Sequence, residues 1–106
     1  MPSIKKNRFK ALAALALMAL GQGAVAQTDP LQVRNWAAAC SNCHGTLGVA
    51  QPGMVSLAGL AHDDLLKALQ AFKSGSRPAT IMHQISKGYS DEQLGQLAAY
   101  FAALKK

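Results

Sequence analysis

The stretch Cys40-Ser41-Asn42-Cys43-His44 decides how the chain is read. Two thiols three positions apart, followed at once by an imidazole, form the C-x-x-C-H arrangement through which haem c is attached. Each thiol adds across one vinyl group of the porphyrin, and the histidine reaches the iron. The same residues have two other common uses. A thioredoxin-like redox pair wants a buried strand before it and a βαβ setting, whereas Ala37-Ala38-Ala39 ahead of Cys40 favours helix. A zinc site needs a second pair of ligands. Cys40 and Cys43 are the only cysteines, and His62 and His83 stand at no zinc spacing from them. The stretch therefore predicts a protein that handles electrons singly, with the chemistry in the iron and the chain setting ligands, burial and access.

Upstream of the motif, residues 1–26 read as a cleaved secretory signal. Lys5, Lys6, Arg8 and Lys10 give a basic start, an apolar run covers 11–20, and Ala24-Val25-Ala26 supplies the small-x-small cleavage pattern before Gln27. The apolar run is too short for a membrane span, so no stable membrane insertion is expected. Export suits the cysteines: in an oxidising compartment, of which the bacterial periplasm is the expected one, a bare C-x-x-C tends to close unless attachment machinery keeps it reduced.

Removing the leader leaves residues 27–106 as a single domain, and it changes the charge. The whole chain carries 11 basic and 5 acidic residues, net +6, but four of the bases lie in the leader, so 7 bases against 5 acids leave +2. That balance removes the case for nucleic acid, which wants a basic stripe with readout elements. Arg34, Lys67, Lys73, Arg77, Lys87, Lys105 and Lys106 read as ordinary solvated surface. A domain this small buries only about 60% of its unfolded surface. A covalently tied haem would serve as its staple.

Local signals predict helices and no strands. Asp29 as N-cap and Pro30 in the first helical position open a helix over 29–43 that delivers the motif at its end. Gly45, Gly48, Pro52, Gly53 and Gly59 predict a loop pressed against the ring. Helix resumes at Asp63, with Leu65, Leu69 and Phe72 on one face, and ends at Gly75. A short helical stretch over 80–87 is closed by Gly88. The last helix begins with the capping box Ser90/Gln93 and carries the apolar stripe Leu94, Leu97, Phe101 and Leu104, with Lys105 and Lys106 placed to complement its dipole. The expected fold is all-α, three main helices plus a short one.

Several segments taken together resemble one family. Cys40-Ser41-Asn42-Cys43-His44-Gly45, Ser56-Leu57-Ala58-Gly59-Leu60, Ala71-Phe72-Lys73-Ser74-Gly75, Tyr89-Ser90-Asp91-Glu92-Gln93-Leu94 and Leu97-Ala98-Ala99-Tyr100-Phe101 are similar to a class I cytochrome c over essentially the whole mature domain. Within that class the similarity leans toward the cytochrome subunit of flavocytochrome c sulfide dehydrogenase, and next toward periplasmic cytochromes serving terminal oxidases. The resemblance implies a small fold wrapped around one covalent haem c.

His44 is the expected proximal ligand. A ligating imidazole usually donates its other ring nitrogen to a carbonyl, and Pro52 or its loop neighbours are placed to offer one. After the leader only two methionines remain, Met54 and Met82. Met54 is within reach of the iron, but bringing it across would pull the loop off the His44 side. Met82 follows an intervening helix, and its bland reading is a flexible core filler. His83 is the competing donor and would lower the potential relative to methionine. The class I pattern carries its distal ligand onto Met82, within Thr80-Ile81-Met82-His83. His62 reads as a helix-start or surface residue. Trp36, Leu57, Leu60, Leu69, Ile81, Ile85, Leu97 and Phe101 are equally candidates for ring packing and for helix-to-helix core.

An iron held on both sides has no open position, so the expected role is an electron carrier and not an enzyme. A haem enzyme or gas-binding module would need a displaceable Met82. The resemblance to the sulfide dehydrogenase subunit implies a flavoprotein partner. Sulfide oxidation to sulfur releases two electrons and a haem takes one, so a flavin is the natural intermediary, and no G-x-G-x-x-G fingerprint occurs in this chain. The expected donor is thus an FAD-bearing polypeptide and the expected acceptor a soluble cytochrome or a respiratory chain component. The alternative is a free-standing carrier to an oxidase or reductase.

Overall fold

A computed structural model describes residues 28–106; the expected signal segment lies outside the described residues. Four α-helices follow one another, α1 (Pro30–His44), α2 (His62–Ser74), α3 (Met82–Lys87) and α4 (Asp91–Ala103), and there is no strand among the described residues. The all-α expectation of three main helices and a short one is met.

The helix ends show why these segments fold as they do. Asp29 accepts from the Leu31 amide at 2.9 Å, and Pro30, which has no N–H to leave unpaired, takes the first turn. At α4 both halves of the capping box are made, Gln93 N to Ser90 Oγ at 3.1 Å and Ser90 N to Gln93 Oε1 at 2.8 Å. α2 starts one residue earlier than expected, at His62, with Asp63 and Asp64 in its first turn and Gly75 closing it in the left-handed region. α3 is two residues shorter than expected because Ile81 holds φ −139°, outside the helical range, leaving Thr80 and Ile81 as a bend. Lys105 and Lys106 follow directly after Leu104, the C-cap of α4, so they lie past its last turn and not within it.

Burial brings α1, α2 and α4 together. Ala37 of α1, Leu65 of α2 and Leu97, Ala98 and Phe101 of α4 form the buried cluster, with Trp36, Cys40, Leu57, Leu60, Leu69 and Tyr89 packed around it. Two of the buried cluster's residues are alanines, Ala37 of α1 and Ala98 of α4, and these two helices pack on each other. α3 packs chiefly on α2. Of the eight residues expected to pack on a ring or in the core, six are spent on the core, and Ile81 and Ile85 remain 57% and 39% exposed.

The loop after α1 is more ordered than its glycines suggested, for it contains a 3-10 turn, Thr46–Gly48. Gly48 is buried with φ +75°, and its carbonyl accepts from both Leu57 N and Ala58 N at 2.8 and 3.1 Å. A side chain there would meet the Phe101 ring at 3.0 Å. Gly59 N donates to the Phe101 carbonyl at 3.0 Å, so one α4 residue anchors both ends of the returning loop.

Candidate functional site

The last turns of α1 carry Cys40, Cys43 and His44 on a single rigid element. Cys40 packs against the core and Cys43 is exposed; neither is in a disulfide. Burial pushes the Cys40 thiol above its ordinary value, favouring the neutral form. The Tyr89 phenol is pushed above its ordinary value too, first by burial and then by the charge Cys40 would carry. An open cleft lined by Asn42, Cys43, Gly45, Thr46 and Val49 reaches the second cysteine.

His44 is oriented by its own loop. Its Nδ1 lies 2.6 Å from the Val55 carbonyl oxygen. A carbonyl only accepts, so Nδ1 carries the proton and the lone pair stands on Nε2. The sequence pointed to Pro52 or its neighbours; the acceptor is three residues beyond the proline, and being a backbone atom it left no mark on residue type. Gly45 makes the arrangement possible. It leaves the helix at φ +83° and ψ 162°, and a Cβ there would overlap the Val49 carbonyl oxygen.

The other candidates lie on separate elements. Met82 is the first residue of α3 and half-buried, and His83 follows it with a buried Nδ1 that has no hydrogen-bond partner among the described residues. Met54 is 47% exposed in the loop, next to the carbonyl that binds His44. His62, expected at a helix start or surface, opens α2 and pairs with Asp63 at 2.9 Å. Around the motif, Leu47, Val49, Met54 and Val55 keep large exposed apolar surfaces, as do Ile81 and Ile85 beside Met82. Among the described residues no three His, Cys, Asp or Glu side chains converge as a metal set.

Two thiols free of disulfide, an imidazole with Nε2 available and apolar side chains outside the core fit the needs of a covalently attached porphyrin. Residues 33–105 match the family described as Cytochrome c. This chain belongs to the cytochrome c family. It is a class I c-type cytochrome, and the family implies covalent haem c. The chain is 39% identical over 67 residues to the cytochrome subunit of sulfide dehydrogenase from Chlorobaculum tepidum, covering 63% of this chain and 61% of that one. It is 39% identical over 70 residues to cytochrome c4 of Pseudomonas aeruginosa, covering 65% and 35%. Among solved structures, a cytochrome c4 from Acidithiobacillus ferrooxidans superposes with a TM-score of 0.62 at 28% identity, over 68% of this chain and 49% of that one. The chain thus spans between about a third and two thirds of the length of these relatives.

Electron transfer is the activity that this class supports. No helix among the described residues is long and apolar enough to cross a membrane.

Proposed function

We propose that this chain is an exported, periplasmic mono-haem electron carrier, the 27–106 domain holding haem c through Cys40, Cys43 and His44 with Met82 as the distal ligand. One observation carries the proximal side: the Val55 carbonyl accepts a hydrogen bond from His44 Nδ1–H and so leaves the Nε2 lone pair to bind the iron. When bound, haem iron supplies reversible one-electron chemistry. The chain's own residues do the rest. Cys40 and Cys43 tether, His44 ligates with a fixed tautomer, and the apolar side chains of the loop and of α3 exclude water from the pocket.

The distal choice rests on a contrast among three residues. Met54 directly precedes Val55, whose carbonyl is bound to Nδ1, and it is 47% exposed in the loop. His83 lacks the Nδ1 partner that a ligating imidazole usually has. Met82 needs no such partner and opens an element separate from α1. With both axial positions filled by protein, outer-sphere transfer is favoured over substrate binding at the metal.

For the partner, the favoured reading is the cytochrome subunit of a sulfide-oxidising complex, receiving electrons from an FAD-bearing polypeptide and passing them to a soluble cytochrome or respiratory acceptor. The relative named as a sulfide dehydrogenase subunit supports it. The cytochrome c4 relatives support the second reading, a free-standing carrier.

Native isolation separates the two. Co-purification with a yellow flavoprotein and sulfide-dependent reduction are expected; a solitary cytochrome unaffected by sulfide and oxidised by membranes would leave the second reading standing. The distal ligand is tested in the haem-loaded protein. Met82→Ala removes the weak long-wavelength band of methionine–iron ligation, while Met54→Ala and His83→Ala keep it. Retention of the band in Met82→Ala would exclude Met82.

A further inference from the structure

Lys73 reads in the sequence as one more surface lysine, yet its ammonium group is engaged twice. It donates to the Tyr89 carbonyl at 2.7 Å and to Asp91 Oδ1 at 3.0 Å, with its side chain 31% exposed. The two acceptors flank the joint between α3 and α4. Tyr89 is the residue after Gly88, which caps α3, and Asp91 is the first residue of α4.

That joint matters because α3 cannot place itself. It has six residues, too few to be stable alone, and no side chain caps its start. It also buries the Ser86 hydroxyl and His83 Nδ1 without partners. Its position therefore depends on its packing against α2 and on what holds its ends. At its C-terminal end the Tyr89 carbonyl is gripped by Lys73 from the last turn of α2, while the Tyr89 side chain packs against the same buried cluster as Cys40 of α1. One residue thus links the arm that bears Met82 to the arm that bears the cysteines.

We propose that Lys73 is a positioning residue for the distal ligand: by bonding the Tyr89 carbonyl it fixes the end of α3 against α1 and α2 and keeps Met82 seated. The inference rests on the Met82 reading. The carbonyl bond is the operative one, since the Asp91 carboxylate is 78% exposed and an exposed pair contributes little. Lys73→Met preserves the aliphatic stem and removes the donor.

The test uses the haem-loaded ferric protein with imidazole as the competing ligand. Loss of a charge-assisted bond at a partly buried carbonyl is expected to tighten imidazole binding by about tenfold in Lys73→Met. The long-wavelength band should also disappear on heating before the helical signal does. Lys73→Arg, which keeps a cationic donor, is expected to restore the wild-type affinity, and Asp91→Asn to leave it within about twofold. If Lys73→Met fails to load haem, acetylation of the folded wild-type serves instead: Lys73 should react more slowly than Lys67 and Lys87, and the fraction acetylated at Lys73 should bind imidazole more tightly. Wild-type affinity in Lys73→Met or in the acetylated fraction, with the band intact, overturns the inference alone. So does an Asp91→Asn effect as large as that of Lys73→Met. A wild-type protein without the methionine band overturns the Met82 reading and this inference together.

Discussion

The two segments proposed to hold the iron are built differently. Cys40, Cys43 and His44 end a 15-residue helix that is capped by Asp29, tied into the core through Ala37 and Trp36, and continued by a loop whose carbonyl locks the histidine ring. Met82 begins a 6-residue helix with no side-chain cap, an exposed isoleucine within it and another just before it, and two buried polar atoms without partners among the described residues. The proximal side is over-determined; the distal side is held at a few points. If the proposed ligands hold, such an arrangement would keep the covalent and proximal bonds in place and leave the distal bond as the one that perturbation reaches first. The small haem enzyme or gas-binding alternative would have to act through that same weaker arm.

The sharpest way to break the contrast is Gly45→Ala. Both the left-handed backbone and the overlap with the Val49 carbonyl oppose a side chain there. Overpacking of about 1–3 kcal/mol and backbone strain of about 1–3 kcal/mol together predict a loss of about 4 kcal/mol. Denaturant unfolding of the haem-loaded protein measures it, and a loss below about 1 kcal/mol would show that the exit from α1 is not rigid.

Next in size is a matched pair of truncations. Phe101→Ala empties the buried centre of the α1 side and is expected to cost about 3–5 kcal/mol. Ile85→Ala, on α3 with the side chain partly exposed, should cost about 1 kcal/mol. Equal losses in the same unfolding assay would mean that α3 is as firmly built as α1.

Much of the proximal half was legible in the sequence because its signals are local. Asp29-Pro30 and Ser90 with Gln93 act within one helical turn, and the spacing of Leu94, Leu97 and Phe101 states which face of α4 is buried. The motif names its own chemistry. What escaped is long-range or backbone. The partner of His44 is a carbonyl eleven residues away, for which any residue type would serve. Lys73 meets Tyr89 and Asp91 across 16 and 18 residues, so a lysine on an exposed helix gives no hint of them. Gln96 Nε2 donates to Thr28 Oγ1 across 68 residues, pinning the start of the described chain to α4. Leu47, at φ +53° and ψ 28°, adopts a left-handed conformation that its residue type argues against and that departs from the 3-10 turn around it.

The smallest effect expected is also the one that asks most about the distal arm. The Ser86 hydroxyl is wholly buried in α3 and has no partner among the described residues. A buried hydroxyl deprived of water and of any replacement bond costs about 1–3 kcal/mol, and alanine both removes that cost and is the better helix former. Ser86→Ala should therefore raise stability, by about 1 kcal/mol once the slightly looser packing is allowed for, and with it the temperature at which the methionine band disappears. A loss of stability in the haem-loaded protein would mean that this hydroxyl is satisfied there. α3 would then owe part of its placement to the bound cofactor or to an ordered water, and the difference between the two arms would be narrower than their hydrogen bonds suggest.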